Sequence, residues 1–353
     1  MEHTYYELTY PAMYSLLRQI KQFNYILLGE STHGTEEYFL IRLAITILLV
    51  KDFGYTTILF ETEWSIGYYF NLFIHSKIDS HVEQVVKRFD KYYPKWMLHN
   101  EYIIQLLLFL RKWNKDHTKK VFFYGIDRQN IKLSNENVCS EKTLNCSVVS
   151  KLIKNYSIMS SSKNYWNVRD SFWETIIQEI QKYNHASKFV LWAHNSHIGN
   201  VNAQSDNQNK INIGLLLDRT YSCFKMGFST YSGSVKASSE WGKPGRKYRL
   251  SKARPDSYEF MFHELAQASN MNAFIYLCNP RIDMNLSFRY VGVVYDSKNE
   301  YQAHYQVTNI HKEYNAIVFI DETSYLKGPI TTRKFMKSLS QYNTYSQQLL
   351  NSQ

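Results

Sequence analysis

The chain has 353 residues, of which 44% are hydrophobic, 16% aromatic and 20% charged, with only 13 Gly and 6 Pro. This composition excludes a largely disordered, collagen-like or linker-like protein, because apolar and aromatic residues recur along the whole length. Lys and Arg number 41 and Asp and Glu 31, a net charge of +10. The densest basic cluster, around Arg246, Lys247 and Arg249, has no nucleic-acid-binding motif beside it, so we expect a solvated basic loop and no nucleic-acid partner.

We expect a reduced, cytoplasmic protein without a membrane partner. The four cysteines are too few and too scattered for a disulfide framework or a Cys-rich zinc site. Residues 1–7 carry acids where a secretory signal needs basic residues. The most apolar stretch, residues 41–50, is too short to cross a bilayer.

Seven short runs of apolar, β-branched and aromatic residues predict buried strands. They are residues 25–28, 57–60, 121–124, 189–192, 274–277, 291–294 and 317–320. Helical spacing and helix end signals predict helices over residues 35–51, 101–115 and 165–183. Alternating strands and helices indicate an α/β fold, a central and largely parallel sheet flanked by helices, with a helical insertion.

The absence of repeats and of a Pro/Gly linker predicts one domain over residues 1–330. Residues 129–164, rich in Ser, Asn and Lys, are predicted to form an irregular insertion within it. Residues 331–353 are polar and predict a C-terminal helix or tail.

Acidic or imidazole side chains follow four of the predicted strands. They are Glu30 and His33 after the first, Glu61 after the second, Asp127 after the third, and His194 and His197 after the fourth. Ligands of open α/β sheets bind in the crevice beyond the carboxyl ends of the strands. Four such positions together predict one shared site.

Glu30 precedes His33 by three residues, so its carboxylate can orient the ring as a general base requires. Arg42 lies in an apolar helical stretch, where burial is costly without a carboxylate partner. We expect Arg42 to be paired with an acid or directed into the site. Glu61, rather than Glu63, is expected to face inward because it directly follows the strand.

His194 and His197 are three residues apart, a spacing that suits two metal ligands or two substrate-facing side chains. Asp127 is expected to support a neighbouring loop by hydrogen bonds. Ser31 is disfavoured as a nucleophile, because His33 stands where a nucleophile elbow needs its second glycine.

Blocks of sequence from about residue 25 to 325 resemble the erythromycin esterase family. They include GESTHG at 29–34, FETEW at 60–64, YGID at 124–127, NVRD at 167–170, WAHNSH at 192–197, GFSTY at 227–231 and FIDET at 319–323. The resemblance implies an α/β core with a helical lid around a deep cleft. It also implies hydrolysis of a macrolide lactone such as erythromycin, without a covalent intermediate and usually without a metal.

The resemblance also implies roles for individual residues. Carried over one by one, the general base falls on His33, its supporting acid on Glu30, the site arginine on Arg42, the second acid on Glu61, and two further histidines on His194 and His197. The chain departs from the family at Leu40, where members tend to have a second arginine just before the Arg42 position, and this leaves the substrate open.

We therefore predict a hydrolase in which His33, held by Glu30, deprotonates water that attacks a small-molecule ester or lactone. Arg42 or one of the two later histidines would stabilise the oxyanion. No cofactor is expected. A metal-dependent hydrolase at the same residues and a non-catalytic protein that binds haem, a metal or an antibiotic remain open alternatives, and the oligomeric state is left open, a monomer included.

Trp64 and Tyr231 are predicted to line the cleft. A macrolide carries a protonated amino sugar on a broad apolar ring, which suits aromatic faces. The competing interpretation is that both side chains anchor the core.

Overall fold

Eleven strands lie in the part of the chain that the computed structural model describes, residues 5–90, 94–127, 144–161, 164–184, 188–207 and 209–329. They are β1 (Tyr5–Glu7), β2 (Tyr25–Leu28), β3 (Thr57–Glu63), β4 (Phe122–Asp127), β5 (Phe189–Trp192), β6 (Cys223–Ala237), β7 (Arg246–Leu250), β8 (Ala273–Leu277), β9 (Leu286–Arg289), β10 (Tyr305–Thr308) and β11 (Ala316–Thr323).

Nine of these strands form one sheet in the order β1-β8-β11-β6-β2-β5-β3-β4, with β7 paired to β6. The six strands from β11 to β4 run parallel, β8 is antiparallel to β11, and β1 is antiparallel to β8. β9 and β10 form a separate antiparallel pair. The predicted α/β fold with a largely parallel sheet is confirmed.

Twelve helices accompany the strands in the described ranges. They are α1 (Tyr10–Ile20), α2 (Glu36–Phe53), α3 (Trp64–Ile74), α4 (Val82–Lys87), α5 (Glu101–Asp116), α6 (Leu144–Ser161), α7 (Tyr165–Asn184), α8 (Asn195–Ile198), α9 (Ile213–Asp218), α10 (Tyr258–Ser269), α11 (Glu300–Ala303) and α12 (Ile310–Glu313).

The two faces of the sheet carry two separate apolar cores. Ile26 and Leu28 of β2 pack into the core that contains α1, α2 and α5. Tyr25 and Leu27 of the same strand point to the core that contains α7, α9 and α10. Such alternation follows from the two-residue period of a strand, and burial on both faces explains why β2 is apolar throughout.

Helix α2 is buried around nearly its whole circumference, including Glu37 and Arg42. It begins after Thr35 and ends at Gly54, whose positive φ of 73° provides a left-handed cap. An all-round apolar helix belongs to the interior of a protein. α2 therefore carries Arg42, one of the predicted site residues, into the core.

Six of the seven predicted strands and all three predicted helices are present. Residues 291–294 do not form a strand: Val291 and Val294 make only isolated bridges, to Thr32 and Ser238. Val291 is fully buried, so its apolar character reflects burial and not pairing within a sheet. The full extent of β6, the longest strand, is hidden in the sequence by its Gly, Ser, Thr and Lys residues.

The segment predicted as an irregular insertion, 129–164, needs one correction. Its residues 144–161 form helix α6, which packs against α7. Residues 331–353, predicted as a helix or tail, lie outside the described residues, and the single-domain assignment stays a prediction.

None of the described helices is both long and apolar enough to span a membrane. Cys223 and Cys278 are free thiols. Cys146 is disulfide-bonded, which departs from the fully reduced state expected from the sequence.

Candidate active site

The sheet order brings the four predicted strand ends together, because β2, β5, β3 and β4 are consecutive parallel neighbours. A cavity of about 480 Å³ lies beyond their carboxyl ends. Its lining includes five of the predicted site residues, His33, Glu61, Asp127, His194 and His197. The structure thus gathers at one place side chains that are up to 164 positions apart.

His33 is held on its far side by Glu30. Its Nδ1 lies 2.9 Å from Oε1 of Glu30, and the other carboxylate oxygen accepts a hydrogen bond from Nη2 of Arg42 at 2.5 Å. The carboxylate fixes the ring proton on Nδ1, so the lone pair is on Nε2. Because His33 lines the cavity, this geometry offers a base to a bound water molecule.

The pKa of His33 lies above its ordinary value of 6.5. Burial favours the neutral ring, but the hydrogen bond to Glu30 and the negative charges of Glu30 and Glu61 outweigh it. The environment therefore makes His33 a stronger base than a free imidazole.

Arg42 lies behind Glu30 and does not line the cavity. Its side chain is fully buried, with the guanidinium 4.7 Å from the ring centres of Phe39 and Trp192. Burial lowers the pKa of Arg42, and the charge of Glu30 opposes this shift. The expected pairing with an acid is present, but contact with an oxyanion in the cavity is not, because Glu30 lies between.

Arg169 of α7 joins three of the predicted residues. It donates to both oxygens of Asp127 at 2.9 and 2.6 Å and to Oε1 of Glu61 at 3.0 Å. Its Nη1 lies 3.0 Å from Nε2 of His197. Burial would lower the pKa of Arg169, but the surrounding carboxylates raise it, so it carries a charge in the cavity wall.

Arg169 was not among the site residues predicted from the sequence, although a local signal exists. Trp173 and Ile176 follow it by four and seven positions and are buried. This helical spacing places Arg169 on the apolar face of α7, where an arginine requires partners.

His197 has both ring nitrogens engaged. Nδ1 contacts the two oxygens of Asp170 at 2.9 and 3.0 Å, and the ring stacks on Trp166 with a centroid distance of 4.3 Å. Nε2 faces the guanidinium of Arg169. In this arrangement His197 positions Arg169 and has no lone pair left for a water molecule.

His194 is neutral, since burial and the nearby His33 lower its pKa to about 3. Its Nδ1 accepts from the backbone N of Ser196 at 3.4 Å and lies 2.7 Å from the Ser196 hydroxyl, so the ring proton lies on Nε2. The two rings of His194 and His33 are 4.9 Å apart. Its Nε2–H donates to the Ser31 carbonyl oxygen at 3.4 Å, so His194 places beside His33 an N–H group that already has a backbone acceptor.

Glu61 connects Arg169 with the turn that carries His194. One oxygen accepts from Arg169 and the other from the backbone N of His194 at 2.8 Å. Burial would raise its pKa, but the charges of His197, His33 and Arg169 lower it well below the ordinary value. Glu63 also lines the cavity, so the two acids are not separated into inward and outward positions.

Trp64 and Tyr231 do not line this cavity, which corrects the prediction for both. Trp64 is 2% exposed and stacks on Tyr124, with its indole N donating to Asn145 at 2.9 Å. Tyr231 stacks on His263 at 3.8 Å. The aromatic residues of the cavity wall are instead Trp166, Trp241 and Tyr290.

The family model described as erythromycin esterase matches residues 50–141 and 135–323. The chain belongs to the erythromycin esterase family. This confirms the resemblance seen in the sequence. A 103-residue segment, 29% of the chain, is 34% identical to erythromycin esterase type II of Escherichia coli, and it spans only 23% of that relative.

Solved structures share the fold of this erythromycin esterase family member. A succinoglycan biosynthesis protein superposes with a TM-score of 0.67 at 16% identity, covering 88% of this chain and 91% of the other. A Bacillus cereus protein gives 0.66 at 17%, covering 89% and 93%. A mutant of the erythromycin esterase EreC in its open conformation gives 0.60 at 14%, covering 91% and 98%.

Within the described ranges, no group of three or more His, Cys, Asp or Glu side chains is arranged to hold a metal ion. The carboxylates and imidazoles of the cavity contact one another and two arginines instead.

The buried Arg42–Glu30 pair is expected to contribute to the stability of the fold. Arg42→Met leaves the Glu30 charge without its partner in the core, so we expect a loss of about 3–5 kcal/mol in the free energy of unfolding. Adding Glu30→Gln should restore part of this loss, since the unpaired charge is then gone. Urea unfolding of both single variants and the double variant measures the coupling. If the two single losses in the free energy of unfolding simply add in the double variant, the expected coupling between Arg42 and Glu30 is absent.

Proposed function

We propose that this protein hydrolyses carboxylic esters with a water molecule activated by His33. The observation that supports this most is the Glu30–His33 pair, which directs an unprotonated Nε2 towards the cavity. A positioned general base of this kind contributes about 10²- to 10⁴-fold to a rate.

In the proposed reaction, Nε2 of His33 takes a proton from water while the water oxygen bonds to the ester carbonyl carbon. The tetrahedral intermediate then breaks its bond to the leaving oxygen, and the protonated His33 returns the proton to that oxygen. Glu30 stabilises the imidazolium in between.

Two donors of the cavity wall are available for the oxyanion. Nε2–H of neutral His194 lies beside His33 and would exchange its 3.4 Å hydrogen bond to the Ser31 carbonyl for one to the oxyanion. The Nη1 group of Arg169 has a second hydrogen beyond its contact with His197. Each well-placed donor is worth about 3–4 kcal/mol in the transition state. Asp127 and Glu61 hold Arg169 in place for this role.

We propose a small-molecule ester or lactone as the substrate. Because the matched family and relative carry the name erythromycin esterase, a macrolide lactone is the first compound to test. Ring opening would add one water molecule to the macrolide and would inactivate it as an antibiotic.

His33→Gln should lower kcat by about 10²- to 10⁴-fold while the protein stays folded, because only the base is removed. Mass spectrometry of erythromycin and a lactone panel measures the gain of one water molecule. His263→Gln is the matched control, since His263 makes a similar contact with Asp321, at 2.6 Å, away from the cavity lining.

A His33→Gln variant that keeps the parent rate would remove His33 from the mechanism. If the parent protein binds the compounds but converts none, the binding-protein alternative gains support.

The raised pKa of His33 predicts the acidic limb of the pH profile. The base must be neutral, so kcat/KM should rise with pH through an apparent pKa above 6.5. In Glu30→Gln the charge that raises this pKa is lost and burial prevails, so the limb should move to lower pH. Asp321→Asn, which alters the His263–Asp321 pair outside the cavity lining, should leave the limb unchanged. A limb that stays in place in Glu30→Gln would contradict this assignment.

We propose that the reaction needs no metal. The oxygens of Glu30 contact His33 and Arg42, and those of Glu61 contact Arg169 and the His194 backbone, so a metal would have to displace these contacts. We expect substoichiometric metal by elemental analysis and full activity after chelation. Stoichiometric metal with chelator-sensitive turnover would favour the metal-dependent alternative.

A further inference from the structure

The hairpin of β6 and β7 extends beyond the parallel part of the sheet to the mouth of the cavity. β6 pairs with β2 and β11 along its first part and with β7 over Gly233–Ala237. The connecting residues 238–245 include Trp241, which is 57% exposed and lines the cavity. The hairpin therefore forms part of the rim that a substrate meets first.

One face of this hairpin carries three cations. Lys236 lies directly opposite Lys247, and Arg249 lies opposite Ser234, two positions further along the same face. Like charges directly opposite each other in an antiparallel pair destabilise it. Lys95 adds a fourth cation beside the hairpin, because its neighbour Trp96 lies against Gly245 of the connecting loop. Burial and the charge of Lys95 both lower the pKa of Lys236.

These four cations, which we call the rim patch, have no carboxylate partner among the described residues: every ion pair there involves other side chains. The Nζ atom of Lys247 lies 5.0 Å from the ring centre of Tyr325. By contrast, Lys327, two positions after Tyr325, forms an ion pair with Glu36, with its Nζ 3.3 Å from Oε2. The rim patch thus concentrates uncompensated positive charge.

The four cations of the rim patch are outside the cavity lining, but the patch lies beside the turn that carries His33. The backbone N of Lys236 donates to the carbonyl of Gly34, the residue after His33, at 2.9 Å. Lys95 follows Pro94 of the cavity lining. A Cβ on Gly245, in the hairpin loop, would lie 2.5 Å from the ring of Trp96, the residue after Lys95. The Lys236–Gly34 hydrogen bond and the close approach of Gly245 to the Trp96 ring thus fix the hairpin beside the His33 turn and beside Lys95.

We propose that the rim patch binds an anionic group, a carboxylate or a phosphate, carried by the substrate beside its ester bond. Lysine and arginine bind such oxyanions by charge-assisted hydrogen bonds. The cross-strand repulsion between Lys236 and Lys247 is relieved when an anion lies between them. The inference rests on the proposed esterase function and narrows its substrate to an anionic ester, which a cationic macrolide does not match.

The kinetic test compares two p-nitrophenyl esters, the neutral acetate and the anionic monosuccinate. We expect the parent protein to prefer the monosuccinate, and the double variant K236Q/K247Q to lower the ratio of the two kcat/KM values by about tenfold, which corresponds to about 1.4 kcal/mol. Added salt should reduce the preference of the parent protein. K112Q/K182Q, with two exposed lysines on other helices, is the control with the same change of charge.

A second measurement does not depend on turnover. Titration calorimetry with inorganic phosphate and with succinate should detect binding to the parent protein and to the control, and its loss in K236Q/K247Q. The melting temperature of that variant should be unchanged or higher, because the repulsion is gone; a loss of folding would lower it.

The outcomes separate the two proposals. Failure of the parent protein to cleave either ester would count against the esterase function, while calorimetry still reports on the rim patch. Equal ratios in the parent and K236Q/K247Q, absence of phosphate and succinate binding, or binding of a labelled RNA oligomer alone would overturn the anionic-substrate assignment.

Discussion

The ion pair between Arg42 and Glu30 determines how the rest of the site is arranged. A guanidinium at 0% exposure requires compensation, which comes from Glu30, from the Tyr38 carbonyl at 3.3 Å and from two aromatic rings. One of its nitrogens, Nη1, has no hydrogen-bond partner among the described residues. Glu30 is therefore fixed from behind, and its remaining oxygen can orient only the ring of His33.

Two imidazole–carboxylate pairs lie in this cavity, and their surroundings give them different roles. In the Glu30–His33 pair the arginine contacts the carboxylate, so the outer nitrogen of the ring is left for water. In the Asp170–His197 pair the arginine contacts the ring itself, at Nε2. An imidazole–carboxylate pair thus leaves a ring nitrogen without a hydrogen-bond partner in the described part of the chain in one case and supports Arg169 in the other.

The sequence was sufficient for six strands of the nine-stranded sheet, because short apolar strands followed by polar strand ends are local patterns; β1, β6 and β7, which are not continuous apolar runs, were not among the predicted strands. It was sufficient for six side chains of the site, since β2, β5, β3 and β4 are adjacent. It was not sufficient for contacts made across the fold. Arg169 is separated from Asp127 by 42 positions, and only packing of α7 brings them together. Trp64 and Tyr231 follow strands as the site residues do, but their rings fit the core.

The turn that carries His33 also shows why the site and its rim belong to one unit. Its backbone is bound from three directions: Asn195 N donates to the Glu30 carbonyl at 2.8 Å, Val291 N to Ser31 at 2.7 Å, and Lys236 N to Gly34 at 2.9 Å. A Cβ at Gly34 would lie 1.9 Å from the Lys236 carbonyl oxygen, so only glycine permits this approach.

The same contacts explain why residues 291–294 are apolar although they do not form a strand. Val291 is buried because it bridges to Thr32 in the turn that carries His33, and not because it extends the sheet. The β6 strand contributes to the parallel sheet at one end and to the rim at the other. A displacement of the hairpin would therefore be transmitted to the Gly34 carbonyl and to the adjacent His33. The strand β6 therefore connects Lys236 of the rim patch, the turn that carries His33 and the centre of the parallel sheet.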